Sequence, residues 1–152
     1  MRIIGNGGHA KVVRNAIAND LLALPDKLWI IAVGDNAARK SEAAKLPDDS
    51  FFTVIHSKAV IADNVRIGDG TVVMAGAVIQ PSTRIGKHCI INTCASVDHD
   101  CTLGDFVHVA PGARLCGNVT VGEGALIGAG AVCVPGAVIA PWSLVKAGSV
   151  AK

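Results

Sequence analysis

The stretch VAPGAR LCGNVT VGEGAL IGAGAV, Val109 to Val132, decides the fold. Written in sixes, each unit opens on an aliphatic residue (Val109, Leu115, Val121, Ile127) and carries a small or β-branched residue four places later (Ala113, Val119, Ala125, Ala131). The register runs without an insertion from Ile55 to Val150, sixteen units in 96 residues, and Cys133 is the one opener that is not aliphatic. A period of six fits neither a 3.6-residue helix nor a plain alternating strand. It fits a short strand followed by a corner, repeated as a solenoid. Three units close one triangular coil, so both recurring positions point inward and residues 18 apart stack. The fourth position of the unit holds Gly70, Gly76, Gly112, Gly124, Gly130, Gly136 and Gly148, with Asn64 and Asn118. These types accept the positive φ that a sharp corner demands. The sequence therefore predicts a mainly β fold, a parallel β-helix of a little over five coils spanning residues 55–152.

Residues 1–54 follow a different grammar. Arg2 to Ile4 is a short apolar strand, Gly5-Asn6-Gly7-Gly8 a tight turn, and His9 to about Asn19 a helix with Val12, Val13, Ala16 and Ile17 on one face. Pro25 then breaks the chain, Trp29 to Val33 reads as a buried parallel strand, Ala37 to Leu46 as a second helix, and Phe51 to Ile55 as a third strand. The order β-α-β-α-β implies a small Rossmann-like α/β domain with a parallel sheet, and ligands collect at the carboxyl ends of such strands. Gly5 to Ala10 formally fits the G-x-G-x-x-G/A turn that brings backbone amides to a phosphate. Asp35, ending the second strand, is placed either to meet a ribose or base hydroxyl or to start the next helix. The segment is too short for a full dinucleotide fold and suits the nucleotide half of an activated sugar better.

Composition agrees. Two Trp, three Phe and no Tyr suit a thin aliphatic prism with no space for rings. A net charge of +2 with interleaved signs forms no basic stripe, which argues against nucleic acid. There is no run of eighteen apolar residues, and Met1 leads almost directly into a strand, so neither a membrane span nor a signal peptide is expected. Five cysteines, an odd number without a C-x-x-C pair, fit a reducing compartment, and a cytoplasmic protein is expected. Cys89, Cys101 and Cys133 occupy inward positions and read as packing residues, whereas Cys94 and Cys116 at corner or outward positions remain ambiguous. Cys89, Cys94, Cys101 and His99 fall on different sides of the coil, so no metal is expected.

Since side chains fill the prism, chemistry belongs to the outward residues. The most polar outward stretch is Ile91 to Cys101, centred on His99 between Asp98 and Asp100. An imidazole beside a carboxylate is a good general base, because the acid orients the ring and stabilises its protonated form. His108 lies nine residues on, half a coil away. Gly117, eighteen residues past His99, should stack above it and could offer a backbone N–H where negative charge develops. The alternative is that these histidines are solvated corner residues, as expected for His56 and His88.

Three stretches together, Ile4 to Val13, Gly34-Asp35-Asn36, and Ile91 to Asp100 with Gly104 to His108, give the chain a resemblance over essentially its whole length. It resembles the hexapeptide-repeat sugar acetyltransferases, which include sialic acid O-acetyltransferase and the bacterial UDP-amino-sugar N-acetyltransferases of bacillosamine synthesis. The resemblance implies a left-handed β-helix, a homotrimer with active sites between neighbouring β-helices, acetyl-CoA lying along the coils, and the amino-terminal domain holding the nucleotide of the acceptor sugar. His99 matches the general base and Asp100 the acid that orients it. His108 and Gly117 match positions on the acetyl-CoA side, the second active-site histidine and the amide near the thioester oxygen. Gly7, Gly8, His9, Asp35 and Asn36 match acceptor-side positions, although the family often has an acid where this chain has Asn36. Relatives usually continue past a stretch like Gly148-Ser149-Val150, whereas this sequence stops at Lys152.

The implied activity is direct acetyl transfer from acetyl-CoA to a nucleotide-linked amino sugar, with O-acetylation of sialic acid or another sugar as the alternative. A γ-class carbonic anhydrase would share the coil but bind metal through three histidines, two of them about five residues apart. His56, His88, His99 and His108 contain no such pair. A non-catalytic nucleotide-sugar-binding scaffold would keep the glycine turn and Asp35 without needing His99.

Overall fold

A computed structural model describes residues 2–19 and 29–152, so Pro25 lies outside the described residues. From Val54 the chain winds through seventeen two-residue strands, each hydrogen-bonded in parallel to a strand 18 residues away. They form three sheets, the faces of a prism. The first face carries Val54, Val72, Ile90, His108, Leu126 and Leu144 outward. The second runs from Val60–Ile61 to Val150–Ala151, and the third from Arg66–Ile67 to Val138–Ile139.

The inward positions behave as the period requires. From Val73 to Val145 every opening residue is buried, as are Thr71 to Ala137 at the fifth position. Ile55 is 43% exposed because no coil lies beneath it. Every fourth position from Asn64 to Gly148 has positive φ, including Ser82, His88, Cys94, Asp100, Phe106 and Trp142. A residue with a Cβ loses about 1–2 kcal/mol in that region. The ladder offsets the cost at six of these non-glycine corners, where the residue's N–H reaches a carbonyl one coil below, as in Asp100 to Pro81 (3.1 Å), Phe106 to Lys87 (2.8 Å) and Trp142 to Glu123 (2.8 Å).

The amino-terminal unit consists of β1 (Arg2–Ile4), α1 (Gly8–Asn19), β2 (Trp29–Ile31) and α2 (Asn36–Ala43). β1 and β2 pair in parallel. The expected third strand divides: Phe51 makes one parallel bridge to Trp29, while Val54–Ile55 already belongs to the solenoid. The chain must leave one sheet to enter the other, and the short 3-10 turn Asp48–Ser50 precedes that exchange. Ala10, Val13, Ala16 and Ile17 of α1 pack with Val54, Val72, Met74 and Ile90 on the first face. Those outward apolar residues, at 6% exposure or less for Val54, Val72 and Ile90, fix where the unit docks. No helix among the described residues is long and apolar enough to cross a membrane.

Candidate active site

The corner Asp98–Cys101 joins the second and third faces. Its backbone is pinned by Asp98 N–H to Leu115 O (2.9 Å), Asp100 N–H to Pro81 O (3.1 Å) and Asn118 N–H to His99 O (3.0 Å). Asp100 takes φ 58°, and this turn sets its carboxylate beside the preceding side chain, Oδ2 lying 2.8 Å from His99 Nδ1. That bond raises the pKa of His99, with the charges of Asp98 and Asp100 acting in the same direction and desolvation opposing them. Asp98 Oδ1 accepts the His99 N–H at 2.8 Å. With Nδ1 committed, Nε2 is left to face a reactant. Gly117 stacks on the ring as the 18-residue spacing predicts: a Cβ there would lie 2.6 Å from both Cε1 and Nε2 of His99. A groove of about 250 Å³ along the second face, lined in part by Ser96, Arg114 and Cys116, ends at Asp98 beside the dyad.

A second histidine cluster occupies the first face, where the amino-terminal unit meets the coils. Asn92 Oδ1 accepts the Thr93 N–H (2.8 Å), which leaves its Nδ2 to donate to His108 Nε2 at 3.1 Å. The ring of His9, at the start of α1, lies 6.5 Å from that of His108. Burial, and then the charge of Arg39, push His9 down to about 4. His108 also falls to about 4, through burial, Arg39 and His9, against a hydrogen bond to the Gly34 backbone. Both rings are therefore neutral at pH 7. His9 Nε2 is shielded and has no hydrogen-bond partner among the described residues.

Arg39 organises this region, and sequence reasoning missed it. It is 1% exposed and uses all five donors: Nε to His88 O (2.8 Å), Nη1 to Val33 O (2.9 Å) and Gly34 O (3.1 Å), Nη2 to Asn36 Oδ1 (2.8 Å) and Phe106 O (2.8 Å). Burial lowers its pKa to about 10. A signal did exist. The sequence of α2, NAARKSEA, has no large apolar residue, and its buried face is Asn36, Arg39 and Ala43 at i, i+3 and i+7.

The expected acceptor residues sit as follows. Gly5 is the tight one, with φ 123° and the Ala32 carbonyl 2.5 Å from any added Cβ, whereas Gly7 and Gly8 have open space around them. Asp35 caps α2 by accepting the Ala38 N–H at 2.8 Å, so it does start the helix, and it remains exposed. Asn36 is 8% exposed and donates to Gly124 O (2.9 Å) and Ala125 O (3.2 Å) while accepting from Arg39, which ties α2 to the coils. His88, expected to be solvated, is instead 3% exposed: its ring stacks on Phe106 (5.1 Å, 10°) and meets Phe51 edge-on (4.4 Å, 86°). The positive-φ corner turns it under α2, where apolar rings exclude water. His56 is half-buried, Nδ1 accepting the Lys58 N–H at 3.0 Å. A larger cavity, about 480 Å³, lies under α2 beside His88 and Phe106 and does not include the dyad.

The structure thus brings together His99, Asp100 and Gly117 on one corner, and His9, His108, Asn92 and Gly34 on another side. It does not bring the two groups together within one chain. The corner between the second and third faces is the one opposite the first face, where His108 sits.

Residues 64–99 and 100–135 match the family model for bacterial transferase hexapeptide, six repeats. UDP-N-acetylbacillosamine N-acetyltransferase of Bacillus subtilis is 42% identical over 108 residues, covering 48% of this chain and 50% of that protein. The chain spans about half the length of the curated relatives it matches. A variant of perosamine N-acetyltransferase from Caulobacter crescentus, solved with CoA and GDP-perosamine, superposes with TM-score 0.92 at 36% identity, covering 99% of this chain and 87% of that one. The acetyltransferase domain of PglB from Neisseria gonorrhoeae, solved with acetyl coenzyme A, gives TM-score 0.86 at 31% identity, covering 97% and 87%.

Proposed function

This chain belongs to the hexapeptide-repeat sugar acetyltransferases, and from that premise we propose that it transfers an acetyl group from acetyl-CoA to the amine of a nucleotide-linked amino sugar. The observation that carries the reading is the His99–Asp100 pair, an oriented imidazole of raised basicity on an exposed corner with the Gly117 backbone against its ring.

In the proposed reaction, the sugar nitrogen attacks the thioester carbonyl and His99 Nε2 takes the proton that the nitrogen loses. The carbonyl oxygen gains negative charge and meets the Gly117 N–H. The intermediate collapses by breaking the carbon–sulfur bond, and the proton on His99 passes to the departing thiolate. No acyl-enzyme forms. Asp100 keeps the ring in register and stabilises it while protonated.

The acetyl donor fits the groove beside Asp98, Arg114 and Cys116, and the acceptor fits the face built by Gly7, Gly8, His9, Asp35 and Asn36. Because His99 and His108 lie on opposite sides of one prism, a working centre needs the His99 corner of one protomer against the His108 face of its neighbour, as a homotrimer would provide. We read the coil as left-handed and the amino-terminal unit as a reduced Rossmann-like domain on the same family ground. Five free thiols suit reaction in the cytoplasm.

The test is incubation with acetyl-CoA and a panel of UDP-, dTDP- and GDP-linked amino sugars and sialic acids, read by product mass. One amino sugar should gain a single acetyl group, and His99→Ala should lower the rate by a factor on the order of 10²–10⁴ while still binding that acceptor. A folded protein that acetylates nothing in the panel, or a His99→Ala variant of unchanged rate, would overturn the reading.

A further inference from the structure

At four corners a fifth-position side chain inside the prism captures the carbonyl of the residue that opens a corner one coil on. Thr71 Oγ1 donates to Gly86 O (2.9 Å), Thr83 Oγ1 to Asp98 O (2.8 Å), Cys89 Sγ to Gly104 O (3.2 Å) and Cys101 Sγ to Cys116 O (3.2 Å). A trans peptide points its N–H opposite to its C=O. Fastening the carbonyl inward therefore sends the next residue's N–H outward.

Two of those outward N–H groups hold a carboxylate oxygen within this chain. Lys87 N–H donates to Asp105 Oδ1 at 2.7 Å, and His99 N–H to Asp98 Oδ1 at 2.8 Å. The same construction at Cys116–Gly117 directs the Gly117 N–H away from the prism, at a residue whose added Cβ would meet the His99 ring. This arrangement is built to receive an anionic oxygen, and at Gly117 it lies beside the base.

We propose that Cys101 is a positioning residue for the transfer reaction: its buried thiol holds the Cys116 carbonyl inward and so aims the Gly117 N–H at the thioester oxygen as that oxygen gains charge. The proposal rests on the acetyltransferase reading above. Cys101 is fully buried, and burial raises its pKa, which keeps the sulfur protonated and able to donate. Directly beneath it at the same corner, Thr83 fastens the Asp98–His99 peptide in the same way. Thr83 and Cys101 together thus fix both peptides on which the reaction depends. In the two coils above, the equivalent positions are Val119 and Ala137, which have no hydrogen to donate.

The experiment compares wild type with Cys101→Ala, which removes the donor, and Cys101→Thr, which restores one of the kind used at residues 71 and 83. Loosening an oxyanion donor costs less than the 10²–10³ of deleting it, so Cys101→Ala should lower kcat about ten-fold with KM for the acceptor unchanged. Cys101→Thr should recover most of that loss. A purely structural role would lower melting temperature and kcat together and would not be rescued selectively in kcat. The carbonyl ¹³C resonance of Cys116 gives a readout independent of turnover: it should move in the Ala variant and return in the Thr variant. An Ala variant of wild-type kcat, or a carbonyl resonance that does not move, overturns the proposal while leaving the acetyltransferase reading intact. A wild-type protein that acetylates nothing overturns that reading, and this proposal with it.

Discussion

Replacing Gly117 by Ala tests the geometry of the dyad with a single methyl group. The new Cβ would stand 2.6 Å from Cε1 and Nε2 of His99, whereas carbon contacts settle near 3.5–4.0 Å, so the ring must retreat by about 1 Å. The His99 backbone cannot retreat with it, being held through Asp98, His99 and Asp100 to the coils on either side. The ring must therefore rotate, and rotation breaks the 2.8 Å bond between Nδ1 and Asp100. Gly117 is outside the left-handed region, so alanine brings no backbone strain of its own. Because His99 is exposed, the stability cost should stay within about 1 kcal/mol, whereas a 1 Å misplacement of a catalytic group costs on the order of 10²-fold in kcat. The pH profile should move as well. A general base works unprotonated, so the rate rises with pH through the pKa of His99, which Asp100 holds above its ordinary value. Once the ring leaves Asp100, that pKa falls, and the acid limb of kcat/KM should shift to lower pH. The assay is product mass at a series of pH values, since five cysteines would confuse a thiol reagent. A Gly117→Ala variant with wild-type kcat and an unmoved acid limb would refute the idea that the seat on Gly117 sets the ring.

Three further outcomes follow from the first face. Arg39→Met leaves four carbonyls, two of them fully buried, and the Asn36 amide oxygen without their donor, and should cost on the order of 3–5 kcal/mol in denaturant unfolding while raising the pKa of His9 and His108 in NMR titration. His9 and His108 titrate near 4 when folded and near 6.5 when unfolded, so the unfolded chain binds more protons between those values. Their contribution to stability is complete above about pH 6.5 and is lost as pH falls towards 4; the melting temperature should drop from pH 7 to pH 5, less so in a His108→Asn variant. Finally, if the working centre joins two protomers, His99→Ala and His108→Asn chains, each inactive alone, should regain activity when co-expressed, and failure of the mixed assembly to exceed the separate variants would argue against a shared site.

The solenoid was legible because its constraints are local and repeat: Val109 and Ala113 say where the wall and corner go, and Leu115 and Val119 say it again six residues later. The corners were legible only in part. Glycine and asparagine announce positive φ, whereas Phe106, His88 and Trp142 carry no such mark and are held there by ladder bonds from the coil below. Likewise His99, Asp100 and Gly117 could be grouped from the sequence, because two are neighbours and the third is one coil away. The cluster around His108 could not. Gly34 and Arg39 reach it from a unit with no periodicity relative to the coils, across sequence separations that no spacing rule encodes. The expected strand at Phe51 to Ile55 failed for the same reason, since which sheet each residue joins depends on how the two units dock.

That docking also determines what the period of the coil permits. Residues 18 apart stack, so a glycine can be placed on a histidine with no help from another subunit. Residues nine apart fall half a coil away, so His99 and His108 are on opposite sides of the prism in any chain of this repeat. The amino-terminal unit then makes the two histidines chemically unlike: the exposed one is raised by its carboxylate, and the other is half-buried near His9 and Arg39 and held neutral. In the reaction proposed above, a raised base on one side and the neutral His108, hydrogen-bonded to Asn92, on the other would serve as complementary halves of an acid–base site. In a three-sided solid, such halves can face a common substrate only when the corner of one copy is turned towards the first face of another.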